Sequence, residues 1–286
     1  MKSQSPVTKG MIFAGCSFTW GQGLYYYSNM STLEEPPPNH YKVDLVKDTH
    51  IEYMKSIRFP RFVANHFNTF ELCQPWNGGA SYSIHDWWRR CFMDKTDPEK
   101  HKGNHPSAPP TYNYEDVSHV FYQFTQWTRA TSFTKLDSMY EVTHNDVINN
   151  PIFPQWLLDN NLTLDKYIAQ GKRKEIQDVK EFLQTFTDKG IKVYVMSWPM
   201  DLVEYIDQDD WLRSRMIKFD YNGNNYPSLE HMMLDKYNQF RGYTNPELTI
   251  YWDVNEFEVT PGDLHPSKKC HRVIADNIIK HLEREI

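Results

Sequence analysis

Cysteine is scarce in this chain and poorly spaced for the chemistry it usually does. Cys16, Cys73, Cys91 and Cys270 are four thiols in 286 residues, with no C-x-x-C pair among them. That spacing excludes a zinc ribbon and a thioredoxin-type redox motif. It fits reduced, mostly buried thiols better than a disulfide framework. Long apolar runs are missing too, so no membrane-spanning helix is expected. The first ten residues, MKSQSPVTKG, lack the apolar stretch of a secretory signal. A soluble protein of the cytoplasm is the expectation. Nor is there an excess of positive charge: Lys+Arg of 31 against Asp+Glu of 37 leaves a net charge of −6. Without a bulk positive field, nucleic-acid binding as the main function is disfavoured. With 12 glycines and 17 prolines, the chain is neither collagen-like nor low in complexity. Aromatic residues are abundant, at 15%, while the mean hydropathy is only −0.70. A large aromatic core interrupted by long polar stretches reconciles the two numbers.

Short apolar runs alternate with helical patterns from end to end, the signature of an α/β fold with a mainly parallel sheet. Strands are expected at Met11–Ala14, Phe70–Cys73, Val117–Tyr122, Ile191–Met196 and Leu248–Trp252. Between the third and fourth, Ile176, Val179, Leu183 and Phe186 recur at spacings of three and four, and Gly190 supplies a stop. After the fifth, Ser267 is a candidate N-cap for a helix whose buried stripe is Cys270, Ile274, Ile278 and Leu282. Two weaker helices are expected over Pro60–His66 and Ser81–Met93. No repeat or clean linker divides the chain, so one domain over residues 1–286 is the better count. Four polar insertions, near 25–55, 94–115, 130–165 and 200–247, interrupt the plan. Three of them follow the carboxyl ends of strands, where open α/β sheets bind ligands.

Three turns carry chemistry. Gly15-Cys16-Ser17-Phe18-Thr19-Trp20-Gly21 follows the first strand directly. A turn of small residues at that position can expose a hydroxyl beside backbone N–H groups, a nucleophile next to oxyanion donors. It is not a phosphate loop, since no Lys follows Gly21, and the glycines have the wrong spacing for a dinucleotide fingerprint. A plain strand-to-helix turn accounts for it equally well. Asn77-Gly78-Gly79-Ala80-Ser81 follows the second strand, and its glycines allow close backbone approach to a ligand or simply a tight turn. Before the last helix stands Asp263-Leu264-His265-Pro266. Pro266 pushes His265 toward an extended backbone, where residues two apart project to one side. Asp263 can then orient the His265 ring, or alternatively cap backbone amides.

A serine after strand one, glycines after strand two, a polar turn after strand three and an Asp/His pair before the last helix converge on one edge of such a sheet. In this order and position the chain resembles the SGNH (GDSL-like) hydrolase family, from Met11 to the C-terminus with the four insertions outside. Ser17 is similar to the family's nucleophile, Gly79 to its oxyanion glycine, and Asp263 and His265 to its closing acid and base. Cys270-His271 falls where many members carry Gly-His. The third block departs from the usual Gly-x-Asn-Asp: Gln123-Phe124-Thr125-Gln126 puts Thr125 where Asn stands, with Gln126 beside it. The closing block also reads Asp-x-His rather than Asp-x-x-His.

The resemblance implies a three-layer α/β/α, flavodoxin-like sandwich of about five parallel strands. It implies a serine esterase in which Ser17, His265 and Asp263 form the triad. The oxyanion donors would be the amides of Ser17 and Gly79 with Thr125 or Gln126. No metal and no organic cofactor is expected. Small acyl esters, carbohydrate O-acetyl esters or lipid esters are the implied substrates, and the aromatic insertions favour a decorated carbohydrate. Trp20, Tyr25, Tyr26 and Tyr27 can form a platform against a sugar or acyl group, or pack into the core as such residues more often do. Trp20, Asn77 and Arg129 are the candidate substrate contacts. Asp253 and Glu256 are reserve acids, and His101 and His105, in a Pro- and Lys-rich stretch, make an improbable metal pair. The competing class is a non-catalytic SGNH-like scaffold that binds a glycan or a protein within a larger assembly such as a virus particle.

Overall fold

The first strand, β1 (Gly10–Ala14), is buried at every residue because strands pair with it on both edges and helices cover both faces. The computed structural model describes residues 9–21, 24, 48–74, 81–94, 96, 109–130, 132, 143–233 and 265–285. Within them β2 (Glu71–Cys73), β3 (Val117–Phe124) and β4 (Lys192–Ser197) complete a four-stranded sheet ordered β2-β1-β3-β4, parallel throughout. This is the flavodoxin-like order, in which the chain switches sides of the sheet between β1 and β3. The fifth expected strand, 248–252, lies outside the described residues.

Side-chain alternation along each strand separates two cores. Ile12, Ala14, Val120, Tyr122, Phe124, Val193 and Val195 face α4 (Ser81–Cys91) and α7 (Leu164–Thr187). Met11, Phe13, Phe121, Tyr194 and Met196 face α3 (Phe59–His66) and α10 (Lys268–Glu283). The architecture is therefore a three-layer α/β/α sandwich. The second face carries a stack across three strands, Phe13 on Phe121 at 4.9 Å and Phe121 on Tyr194 at 5.3 Å between ring centroids. Each such aromatic side chain, fully buried, contributes on the order of 1.5–3 kcal/mol of transfer free energy. The helical stripes Ile176, Val179, Leu183, Phe186 and Cys270, Ile274, Ile278, Leu282 are buried as their spacing requires. Ser267 accepts from Cys270 N as the N-cap of α10.

The polar insertions hold more structure than their composition announces. Region 130–165 contains α5 (His144–Ile148), begun by a Thr143/Asp146 capping box, and α6 (Phe153–Asp159), with Pro154 in its first turn. Thr163 then caps α7, which starts well before Ile176. Region 200–247 contains α8 (Val203–Gln208), α9 (Asp210–Arg213) and an antiparallel hairpin, β5 (Phe219–Tyr221) and β6 (Asn224–Tyr226). The hairpin turns on Asn222 and Gly223, both at positive φ (49° and 82°), as a two-residue turn demands. Short α2 (Asp48–Ile57) precedes α3. No described helix is long and apolar enough to cross a membrane.

Several titratable groups are buried in these layers. Burial lowers the rings of His85 and His271 to about 3, and those of His119 and His144 to about 4. Burial acts oppositely on Glu175 of α7: its carboxyl is raised to about 7, opposed by a hydrogen bond donated by Ser81 Oγ. Glu175 lines a cavity of about 250 Å³ between α4 and α7, together with Ser81, His85, Arg89 and Asp178. The histidines stay neutral in the fold where the unfolded chain would protonate near 6.5. Their contribution is complete above that pH and is lost as pH falls from there. Glu175 stays protonated in the fold where the unfolded chain ionises near 4.5, so its contribution is lost as pH rises through about 7. Urea unfolding should therefore show stability falling below about pH 6.5. Glu175→Gln should gain up to about 3 kcal/mol over the parent at about pH 8 and nothing at about pH 4. Equal midpoints for the two proteins at the higher pH would contradict this burial of an ionisable group.

Candidate active site

Ser17 opens α1 (Ser17–Trp20), a single helical turn that follows β1 after Gly15 and Cys16. Two glycines make so abrupt a turn possible. A Cβ on Gly15 would collide with Thr19 Oγ1 and stand 3.0 Å from Gln123 Cβ, so only glycine admits this approach of α1 to β3. Gly21 closes the turn at φ +94°, donating its N–H to Ser17 O, in the left-handed region that glycine favours. The result is a hydroxyl held at the carboxyl end of β1, beside the switch point with β3.

His265 comes to the same place from the other end of the chain. It stands just ahead of Pro266 and the Ser267 cap, outside α10. Its Nε2 lies 3.1 Å from Ser17 Oγ, a hydrogen bond across 248 residues of sequence. Both side chains are nearly withdrawn from water, at 3% exposure for Ser17 and 8% for His265. One turn into α10, His271 fixes the helix that follows His265. Its Nδ1 accepts the N–H of Phe59, the first residue of α3, at 3.1 Å, and its ring stacks on Phe59 at 5.6 Å. A helix start leaves such N–H groups without intrahelical partners. A neutral ring accepts this bond, consistent with the depression of His271 by burial, by Arg58 and by His265.

The other expected site residues divide into two groups. Asp263, Gly79 and Asn77 lie outside the described residues, as do Tyr25, Tyr26, Tyr27, His101, His105, Asp253 and Glu256. Trp20 is part of α1, but its side chain is not among the described ones. Thr125 directly follows β3 and is fully buried, and its Oγ1 has no hydrogen-bond partner among the described residues. Gln126 is exposed, and Arg129 is half-buried in the 3-10 turn Trp127–Arg129. Among the described residues no group of three or more His, Cys, Asp or Glu side chains could hold a metal ion.

Two polar neighbours of the serine turn escaped the sequence reading. Thr19 Oγ1 donates to Gln123 Oε1, and Gln74 Nε2 donates to the Gly15 carbonyl oxygen. Both carboxamides stand at the carboxyl ends of the strands that flank β1.

Comparison with known proteins is sparse. No family model matches the chain and no curated protein matches it. Among solved structures, a family two carbohydrate esterase from Clostridium thermocellum in complex with cellohexaose aligns at 11% identity. It covers 100% of this chain and 66% of its own, with a TM-score of 0.36. A carbohydrate esterase family 2 enzyme plus carbohydrate binding domain from Corynascus thermopiles (Myceliophthora fergusii) aligns at 12% identity. It covers 97% of this chain and 67% of its own, with a TM-score of 0.39. This chain thus spans about two thirds of the length of either. With TM-scores of 0.36 and 0.39, the likeness carries no functional information.

The contact between His271 and Phe59 makes its own prediction. His271→Leu keeps an apolar side chain against Phe59 but leaves that buried N–H without its acceptor. A loss of about 1–3 kcal/mol in urea unfolding near pH 7 is expected. An unchanged midpoint would show that the bond does not anchor α10.

Proposed function

We propose that this protein is a serine ester hydrolase working through an acyl-enzyme on a small acyl ester, with O-acetylated carbohydrate as the substrate class. One observation carries the reading: Ser17 Oγ and His265 Nε2 lie 3.1 Å apart at the carboxyl rim of a parallel sheet. A nucleophile and base within hydrogen-bond reach, at the switch point of an open α/β sheet, are what acyl transfer needs.

In this mechanism the Ser17 hydroxyl donates its hydrogen bond to His265 Nε2. As Oγ attacks the ester carbonyl, its proton passes to that nitrogen. The amides of Ser17 and Gly79, with Thr125 or Gln126, receive the developing oxyanion. When the carbon–oxygen bond to the alcohol breaks, the imidazolium returns the proton to the leaving oxygen. Water then attacks the acyl-Ser17 ester with His265 again as base, releasing the acid and the free enzyme. Asp263 is assigned the orientation of His265, and its spacing of two residues supports that role. Of the oxyanion side chains, Thr125 is favoured over the exposed Gln126 because its buried Oγ1 has no hydrogen-bond partner among the described residues. The carbohydrate rests on the resemblance and on the aromatic residues that follow the nucleophile, Trp20 and Tyr25–Tyr27. Arg129 and Asn77 are proposed as further substrate contacts. The single-domain organisation belongs to the same proposal.

Ser17→Ala should abolish hydrolysis of an activated acetyl ester, by roughly 10³-fold or more, while far-ultraviolet circular dichroism stays unchanged. A fluorophosphonate probe should label the parent protein and not this variant. Turnover retained in Ser17→Ala would remove the serine from the mechanism. A parent protein that neither turns over esters nor takes the probe would instead be a binding scaffold.

A further inference from the structure

The serine turn is braced from both neighbouring strands by carboxamides. Gln74, immediately after β2, donates Nε2 to the carbonyl oxygen of Gly15. Gln123, the second-last residue of β3, accepts at Oε1 from Thr19 Oγ1, two residues beyond the nucleophile in the same helical turn. All three side chains are at most 2% exposed, so neither bond competes with bulk water. Gly15 makes the closeness possible, because a Cβ there would occupy the space between Thr19 and Gln123. At the opposite end of the Gln123 carboxamide, Nε2 is buried without a hydrogen-bond partner among the described residues. A buried amide nitrogen left without a partner is costly, so its presence here asks for an explanation.

We propose that Gln123 is a positioning residue for ester hydrolysis, acting on Ser17 through Thr19. This inference rests on the serine-hydrolase reading. The Ser17 hydroxyl must meet His265 Nε2, and α1 has only one turn with which to hold it. Such a turn has no helical cooperativity of its own to fix its rotation about the end of β1. The bond from Thr19 to Gln123 ties that rotation to the third strand, while the bond from Gln74 ties the preceding carbonyl to the second. Small errors in the placement of a nucleophile cost rate rather than affinity.

The test compares Thr19→Val, which keeps the shape and removes the donor, with Thr19→Ser, which keeps the donor. Gln123→Met and the Thr19→Val/Gln123→Met double variant complete the set. With an activated acetyl ester, Thr19→Val and Gln123→Met should each lower kcat by roughly 10–10²-fold while KM stays within about twofold. Thr19→Ser should restore kcat to within about threefold of the parent, because the donor is what matters. The double variant should be no slower than the worse single one, since both changes cut the same bond. Should Gln123→Met fail to fold, the pair at Thr19 decides alone. Thr19→Val that melts lower yet keeps parental kcat per folded molecule would make the bond merely structural and overturn the proposal. Additive losses in the double variant would overturn it as well. Failure of the underlying reading looks different: the parent itself would then show no ester turnover, and the proposed role would fall with it.

Discussion

The arrangement of this molecule depends on bringing a hydroxyl near the start of the chain within hydrogen-bond distance of an imidazole near its end. Ser17 and His265 are 248 residues apart. No local propensity can join them, so the sheet has to do so. Parallel strands all end at one rim, and the order β2-β1-β3-β4 places the turn after β1 beside the end of β3. The helix that follows His265 packs along the same face as Phe13 and Phe121. Two cores, each built from alternate residues of the same strands, hold the layers at fixed spacing, and the meeting of Ser17 with His265 follows from them.

Polar contacts refine what apolar packing locates roughly. His271 accepts the N–H of Phe59 and sets α10, the helix that follows His265, against α3. On the serine side, Gln74 and Gln123 hold the turn from either flank. All of these groups are buried and make directional bonds, and each would be costly to leave without a partner. Glu175 differs, being a carboxyl that burial keeps protonated to about pH 7, accepting a hydrogen bond from a serine hydroxyl. The fold tolerates it at the expense of stability in alkali.

Much of this was legible in the residues. Spacings of three and four exposed the buried stripes of α7 and α10, because they report burial of one face, and a continuous β-branched and aromatic run marked β4, which is buried on both. Ser17 and His265 were legible by their order along an alternating α/β pattern. Short elements were harder to read. The helices α5 and α6 lie in a stretch whose composition is polar, where the capping box at Thr143 marks the start of α5 and Pro154 the first turn of α6. Asn222-Gly223 was a readable hairpin signal that passed as part of an insertion. Thr19, Gln74 and Gln123 could not be found from spacing at all. A buried carboxamide and a solvated one have the same letter, and only three-dimensional neighbours tell them apart.

The central claim is that the acyl group passes through Ser17. Trapping decides it: the protein is mixed with an activated acetyl ester, quenched in acid within the first turnovers, digested, and mapped by mass spectrometry. Acetyl is expected on the peptide that contains Ser17, accumulating to a smaller extent when His265 is replaced by alanine. Ester turnover with the acetyl group on another residue, or with no acylated peptide under conditions that trap a control serine esterase, would contradict it.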